Sequence, residues 1–190
     1  IRRRPLAAAA RLGTTPDLSP LADLVRAAAT HEGWRAISVD ATVLHDAGAT
    51  DVDALAAAVA TGVEYVRHLE AAGMAPAAAF AQIEFRVGAT ADQFLTAAAV
   101  RALRRVWARV GEACGAPEED RGARTHAVTS LRMFTREDPW VNVLRSTLAA
   151  FGASLGGADA ITVLPFDTVP GLPERRGRRL ARNPQILLAD

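Results

Sequence analysis

Residues 34–73 decide the fold class, and they read WRAISVDATVLHDAGATDVDALAAAVATGVEYVRHLEAAG. The first six residues form a short, mostly apolar segment that is rich in strand-forming residue types, which predicts a strand at 34–39. Thr50 then begins a helix as its N-cap, apolar residues recur in it at three- and four-residue steps, and Gly73 ends it. A strand followed by a long helix is the unit of a parallel sheet with helices on its faces.

The same unit recurs three more times, at intervals of about 40 residues. Further strands are predicted at 81–87, 124–129 and 160–164. A capping box of Thr90 and Gln93 predicts the start of the helix after the second strand. Asp138-Pro139 predicts the next helix start, with an N-cap followed by a proline at the first helical position. A last helix is predicted to begin near Pro173.

Two other prolines bear on helix bounds. Ser19-Pro20 predicts a helix that precedes the first strand. Pro184 lies inside the last predicted helix, so that helix should kink or end around Asn183. The pattern is one helix followed by four strand–helix units. Such a chain is either an open doubly wound sheet or half of an eight-unit barrel, and the pattern alone does not decide between them.

Composition excludes several classes of protein. The chain has 190 residues, 50% of them hydrophobic, and a net charge of +1, which is a globular balance without a bulk attraction to nucleic acid or membrane. It contains 42 Ala and 22 Arg but no Lys, which excludes a Schiff-base lysine and a P-loop lysine. Its single cysteine, Cys114, excludes an intrachain disulfide.

No metal, membrane or nucleic-acid signature stands out in the sequence. Four dispersed histidines form no HExxH or HxxxH pair, so no metal site is expected. No apolar run reaches about 20 residues, so no transmembrane helix is expected. The arginines of residues 175–179 lack interleaved aromatic residues and are interpreted as a solvated helix face. The start at residue 1 is interpreted as a non-signal segment of a longer polypeptide.

Functional groups of a parallel α/β fold gather at the carboxyl ends of the strands, and the residues there carry a family resemblance. Residues 37–39 and 46–50 resemble the "ISIS-GYHMQ-EAGAT" stretch of the coenzyme-B12-dependent methylmalonyl-CoA mutases. Residues 124–130 resemble the family's "RTHCQTSG", residues 138–145 its "DPYNNVVRT", and residues 181–185 its "ARNTQ". The resemblance runs in register from about residue 35 to the last residue. It implies that residues 1–190 are part of a single (β/α)8 TIM-barrel-type domain, covering about four strand–helix units, or half the barrel.

The departures from the family pattern fall at the site. Thr42-Val43 stands where the family has Tyr-His, of which the tyrosine helps to steer the radical rearrangement and the histidine hydrogen-bonds the thioester carbonyl. Val43 cannot donate that hydrogen bond. On the second strand Gln82 removes a cation and Glu84 adds an anion where the polyanionic CoA should lie. Arg86 differs in phase on the strand and is not an obvious replacement.

Three further polar positions of the family are also changed. They are Glu119, Val128 and Asp159, in place of a lysine and two glutamines. His126 matches a family histidine and is kept as a vestigial candidate for substrate contact, with a hydrogen-bonded structural role favoured. His45-Asp46 is interpreted as a loop and capping pair rather than an acid–base pair.

The resemblance therefore implies a small, non-catalytic subunit of an adenosylcobalamin-dependent methylmalonyl-CoA mutase, an isomerase. We expect no catalytic, cofactor-binding or metal-binding residues in this chain. The Asp-x-His-x-x-Gly loop that ligates cobalt in the family's B12 domain is absent, so adenosylcobalamin is expected in a large catalytic partner subunit, in a cytoplasmic heterodimer of propionate metabolism. Two alternatives remain: part of an active acyl-CoA mutase with altered site residues, or a self-contained α/β binding domain.

Overall fold

A computed structural model describes residues 3–169 and 171–189, and the described residues form a mixed α/β fold. The strands are β1 (Ile37–Asp40), β2 (Ile83–Ala89), β3 (Arg124–Thr129) and β4 (Ala160–Thr162). The helices are α1 (Pro5–Leu12), α2 (Leu21–Ala29), α3 (Thr42–Asp46), α4 (Asp51–Ala71), α5 (Pro76–Ala81), α6 (Gln93–Ala113), α7 (Val141–Gly156) and α8 (Arg175–Ala189). The strands make one parallel sheet in the order β1-β2-β3-β4.

The chain divides into two compact units, and both β2 and α6 pass from one unit into the other. The first unit comprises Ile1–Arg86 and Ala102–Arg124, and the second comprises Val87–Arg101 and Thr125–Asp190. In the first unit β1 pairs in parallel with β2, in a register that sets Asp40 opposite Arg86. The other edge of β1 is bridged by Arg3, whose amide donates to the Ala36 carbonyl at 2.8 Å.

Aromatic packing forms the core of the first unit. The indole of Trp107, on α6, is 1% exposed. Its ring centroid lies 4.7 Å from both Phe80 and Phe85. Helix α4 approaches closely because Gly62 faces the same indole: a Cβ at this position would lie 2.7 Å from the ring. Replacing such a buried tryptophan by alanine costs about 3–5 kcal/mol, so this contact is a major part of what holds the helices on the sheet.

Close helix packing organises the second unit. Helix α7 passes the beginning of α6 at Gly152, where a Cβ would lie 2.8 Å from the Gln93 carbonyl oxygen. One turn later a Cβ on Gly156 would lie 2.9 Å from the Val100 side chain. The end of β2 is tied to the end of β3 by the Ser130 amide, which donates to the Ala89 carbonyl at 2.8 Å. These contacts leave two small residues of α7 with no room for a larger side chain.

Most of the predicted elements are confirmed. Strand β3 has the predicted bounds, and the other three strands lie within two or three residues of theirs. Thr50 is the N-cap of α4, with its hydroxyl oxygen accepting from the Asp53 amide. Gly73, at the end of α4, has a φ of +80°, a conformation that favours glycine. The alternating α/β class is therefore correct, and whether the sheet belongs to a closed barrel is taken up below.

The predicted start of α6 is wrong. The Asp92 carboxylate, rather than Thr90, accepts from the amide at the third helical position, that of Leu95. Thr90 is instead engaged with Thr96, whose hydroxyl donates to the Thr90 carbonyl. A local hydrogen bond between two threonines therefore competes with the capping box and moves the helix start to Gln93.

The other corrections also concern helix ends. Helix α7 begins at Val141, three residues after Asp138, because the Asn142 side chain bonds the Thr135 backbone and folds the preceding loop against the first turn. Helix α8 does not end near Asn183 but runs through Pro184 to Ala189, so of the two predicted outcomes the ending is wrong and the kink stays a prediction. The short helices α1, α3 and α5 have too few residues for a clear periodic pattern and were not predicted. Among the described helices, none combines the length and apolar character needed to cross a bilayer.

Candidate functional site

The two faces of the β1–β2 pair have different chemistry. Phe85, on one face, packs against Trp107 of α6. Successive side chains of a strand point to opposite faces, so Ser38, Asp40, Glu84 and Arg86 lie on the other face. Asp40 and Arg86 are its members nearest the carboxyl ends of the strands, where parallel α/β folds carry their functional groups. This strand end is the candidate site of the first unit.

Asp40 is the centre of that site. Its side chain is fully buried, and its Oδ2 atom accepts from Arg4 Nη1 at 3.0 Å and from Arg86 Nη1 at 3.1 Å. Arg11 Nη2 lies 3.8 Å from the same oxygen. The other oxygen, Oδ1, accepts from the Thr42 hydroxyl at 2.6 Å and from the Thr42 amide at 3.2 Å. Both oxygens of the carboxylate are therefore fully engaged within the chain.

The surroundings of Asp40 favour its ionised form. Burial raises the pKa of the carboxyl, but the hydrogen bond from Thr42 and the charges of Arg86 and Arg4 outweigh burial and bring the pKa below its ordinary value. A buried carboxylate that accepts several hydrogen bonds is stable only while its partners remain in place. The cluster is thus a fixed ion network rather than a pair of groups ready to exchange protons.

Thr42 and Val43 lie in α3, directly after β1, at the positions where the family resemblance has tyrosine and histidine. The Thr42 hydroxyl donates to Asp40, and Arg86 Nη1 lies 3.4 Å from its oxygen, so the hydroxyl belongs to the ion network. Val43 is half-buried and carries no polar atom. The chain therefore presents neither a phenol nor an imidazole at these two positions for a thioester carbonyl.

Gln82, directly before β2, and Glu84, on β2, are both buried. The Gln82 side-chain oxygen accepts from the Ala36 amide at 3.0 Å, which ties β2 to the residue before β1. Glu84 is 2% exposed and lies in register with Ser38. A second carboxyl group is therefore buried on the same strand face as Asp40. Neither residue supplies the cation that a phosphate-bearing ligand would need there.

The candidate residues of the second unit are held by contacts between β3 and β4. His126 is half-buried, and its Nε2 atom lies 2.8 Å from the Thr162 hydroxyl oxygen on the neighbouring strand. Val128, the next residue on the same face of β3, is 5% exposed and apolar. The Asp159 carboxylate accepts from the Thr125 amide at 2.8 Å and from the Thr125 hydroxyl at 3.0 Å. His126 and Asp159 thus serve to join the two strands.

The sequence reasoning missed the arginine cluster around Asp40. Arg4 and Arg11 are not among the sequence candidates. The interpretation of Arg86 as out of phase on the strand is wrong, because Arg86 lies on the same face of β2 as Glu84 and opposite Asp40. The sequence did contain a usable signal. Asp40 and Arg86 are charged residues near the ends of the first and second predicted strands, whose other residues are mostly strand-forming. Paired opposite charges on neighbouring predicted strands indicate a cross-strand ion pair. The contribution of Arg4 and Arg11 depends on the path of the N-terminal segment, which that signal does not reveal.

The described residues offer no cluster of metal ligands. Among them, no group of three or more His, Cys, Asp or Glu side chains could hold a metal ion. Of the histidines, His126 bonds Thr162, His31 stacks on Trp34 with ring centroids 4.7 Å apart, and His45 is 5% exposed.

Comparisons with known proteins agree with the motifs. The family model described as methylmalonyl-CoA mutase matches residues 11–190. The methylmalonyl-CoA mutase small subunit of Propionibacterium freudenreichii subsp. shermanii is 54% identical over 98% of this chain, and that of Streptomyces virginiae is 51% identical over 98%. Methylmalonyl-CoA mutase of Escherichia coli is 31% identical over 92% of this chain. The chain spans 30% of the length of each of these two small subunits and 25% of the Escherichia coli protein.

Proposed function

The chain belongs to the methylmalonyl-CoA mutase family, and we propose that it is part of a small, non-catalytic subunit that stabilises a catalytic large subunit. The partner would interconvert methylmalonyl-CoA and succinyl-CoA with adenosylcobalamin. Identity of 51–54% to two proteins named as small subunits, against 31% to the Escherichia coli mutase, supports this assignment over a catalytic chain.

The observation that carries the proposal is the state of the strand end at Asp40. Polarising a thioester carbonyl requires a hydrogen-bond donor aimed at its oxygen, and Val43 supplies none. The Thr42 hydroxyl, the nearest alternative, already donates to Asp40 at 2.6 Å. The Arg86 guanidinium is likewise engaged with Asp40. The donors at this strand end are thus directed at a residue of the chain itself rather than at a bound thioester.

The strand face also disfavours CoA. Two buried carboxyl groups, Asp40 and Glu84, lie on it, and Gln82 stands where the family resemblance has an arginine. The cations nearest to these carboxyls, Arg4 and Arg86, are already hydrogen-bonded to Asp40 and so are not available as donors to a phosphate. The 2.8 Å distance from His126 Nε2 to the Thr162 hydroxyl oxygen supports a structural role for His126 over a substrate contact.

The proposal extends to architecture and cofactor. Four parallel strands in chain order, with a bridge from Arg3 at the outer edge of β1, are compatible with half of a (β/α)8 barrel. Residues 1–190 would then be part of one barrel-type domain without a cobalamin-binding domain. Adenosylcobalamin would bind to the large subunit of a cytoplasmic heterodimer. No nucleic acid or membrane is part of the proposed function.

Co-expression tests the proposal. The full-length protein that contains this chain is produced with a large subunit of the same family, and each is also produced alone. We expect the two to co-purify, with cobalamin absorbance and mutase activity that follow the large subunit. A cobalamin-coloured protein obtained without the large subunit would contradict the proposal.

Two variants separate this function from its alternatives. Val43→Ala in the complex should leave kcat unchanged, because Val43 has no polar role; a large loss of kcat with an intact complex would indicate an active site in this chain. Val63→Ala, at another half-buried valine in a helix, serves as the matched control for general packing damage. A self-contained binding domain would fold without the large subunit and show no affinity for it.

A further inference from the structure

Three guanidinium groups meet at one carboxylate oxygen in the first unit. Arg4, Arg11 and Arg86 lie 3.0, 3.8 and 3.1 Å from Asp40 Oδ2. They come from three separate segments: the residues before α1, the end of α1, and β2. With the buried carboxyl of Glu84 on the same strand face counted as well, three formal positive charges meet two negative ones, a local excess of one. Such an arrangement is typical of a site for a bound anion rather than of a simple ion pair.

Helix α1 depends on this cluster for its position. It has eight residues, PLAAAARL, and Ala9 is the one member of the helix that is buried. An isolated helix of this length is marginal in water, and one buried alanine contributes little apolar stabilisation. Besides the bridge from Arg3 to β1, the polar attachments of this segment include the Leu6 amide, which donates to Tyr65 Oη at 3.0 Å, Arg4 directly before the helix, and Arg11 in its last turn.

The geometry at Asp40 fits a carboxylate and its two oxygens. Oδ2 faces the guanidiniums, whereas Oδ1 faces the Thr42 hydroxyl and amide. The carboxylate side chain has no solvent-exposed surface, whereas the Arg4 and Arg11 side chains are 35% and 51% exposed, so the cluster is open to solvent on the side of these two arginines. A planar anion with two oxygens matches the two sets of donors.

We propose that Arg4, Arg11 and Arg86 form an anion-binding site whose ligand is the chain's own Asp40, and that this internal ligand holds α1 at the carboxyl end of β1. Removing the carboxylate would vacate a site for a small monocarboxylate. The inference does not rest on the proposed function, since it concerns an ion contact within the chain.

Tryptic cleavage of the Arg11–Leu12 bond reports on the position of α1. The experiment uses the full-length protein in the complex it forms, and mass spectrometry follows the cleavage. Asp40→Ala should speed cleavage about tenfold or more, because loss of a buried ion partner releases the segment and local opening exposes the bond. Millimolar formate should slow it again, whereas sodium chloride of equal ionic strength should not.

Two controls define the result. Asp23→Ala removes an aspartate whose partner is also an arginine, Arg26, in an exposed pair at 2.8 Å. This variant should show neither faster cleavage nor an effect of formate, and the unchanged protein should not respond to formate. Cleavage that is unchanged in Asp40→Ala, or that chloride slows as well as formate does, would overturn the proposal.

A second variant covers the case in which Asp40→Ala does not fold. Arg4→Ala removes one part-exposed cation of the site and leaves the Arg11–Leu12 bond in place. It should again speed cleavage, whereas Arg26→Ala, its surface counterpart, should not. If Arg4→Ala and Arg26→Ala are cleaved at the same rate, α1 is not held by the cluster and the proposal fails.

Discussion

Replacing Gly152 by alanine is expected to destabilise the protein, although alanine is the better helix former. Gly152 lies in the fourth turn of α7, where a Cβ would be 2.8 Å from the Gln93 carbonyl oxygen and 2.9 Å from Gln93 Cα. Both are backbone atoms at the first residue of α6 and cannot rotate away. The two helices would have to separate by several tenths of an ångström.

The magnitude follows from two opposing effects. Alanine in a helix interior is favoured over glycine by about 1 kcal/mol. Forcing a methyl group into a filled space costs about 1–3 kcal/mol, and a rigid backbone neighbour places this site at the upper end. We therefore expect Gly152→Ala to lower the free energy of unfolding by about 1–2 kcal/mol.

Gly122→Ala, shortly before β3, is the control for replacing a glycine by alanine. There a Cβ would meet no atom within 4 Å, and φ does not lie in the left-handed region. This variant should be neutral or stabilised by up to about 1 kcal/mol. Urea unfolding followed by tryptophan fluorescence measures both. Equal midpoints for the two variants, or a higher midpoint for Gly152→Ala, would refute the argument that α7 and α6 touch at their backbones.

Further predictions concern single hydrogen bonds and pH. Thr50→Ala should lower the free energy of unfolding by about 1 kcal/mol, because its oxygen caps α4, and urea titration checks this. Tyr65→Phe should lower it by about 1 kcal/mol and speed hydrogen exchange at the Leu6 amide. Because the native pKa of Asp40 is lowered, its contribution to stability is complete above its unfolded pKa of about 3.9 and is lost as the pH falls through the native value. Acid unfolding of Asp40→Asn should lack that dependence, and an identical acid limb in the two proteins would contradict it.

The elements that could be predicted from the sequence are those with a long or sharply bounded pattern. Strand β3 agrees residue for residue, and Thr50 and Gly73 bound α4 as expected. These signals are local, since they depend on backbone conformation and on bonds between near neighbours. The predicted start of α6 is wrong although the capping box is also a local signal. The Thr96 hydroxyl donates to the Thr90 carbonyl, a contact that the capping pattern does not encode.

The candidate site was predictable in part. The sequence shows that Thr42 and Val43 lack the groups that the family uses at this strand end. It does not show that Arg86 would contact Asp40 across the strand pair. That contact depends on the parallel register, which places the two residues opposite each other. Arg4 joins them because the chain before α1 runs beside β1.

The sequence by itself determined the alternating α/β class, the family and the absence of the expected catalytic side chains, because each follows from residue types in order along the chain. The tertiary structure alone decided which side chains the charged residues contact. Asp40 is buried and ionised since three arginines from distant segments converge on it, and Gly152 and Gly156 matter because α6 passes against them. Such contacts join residues far apart in sequence, so they depend on the packing of helices and strands that local patterns do not specify.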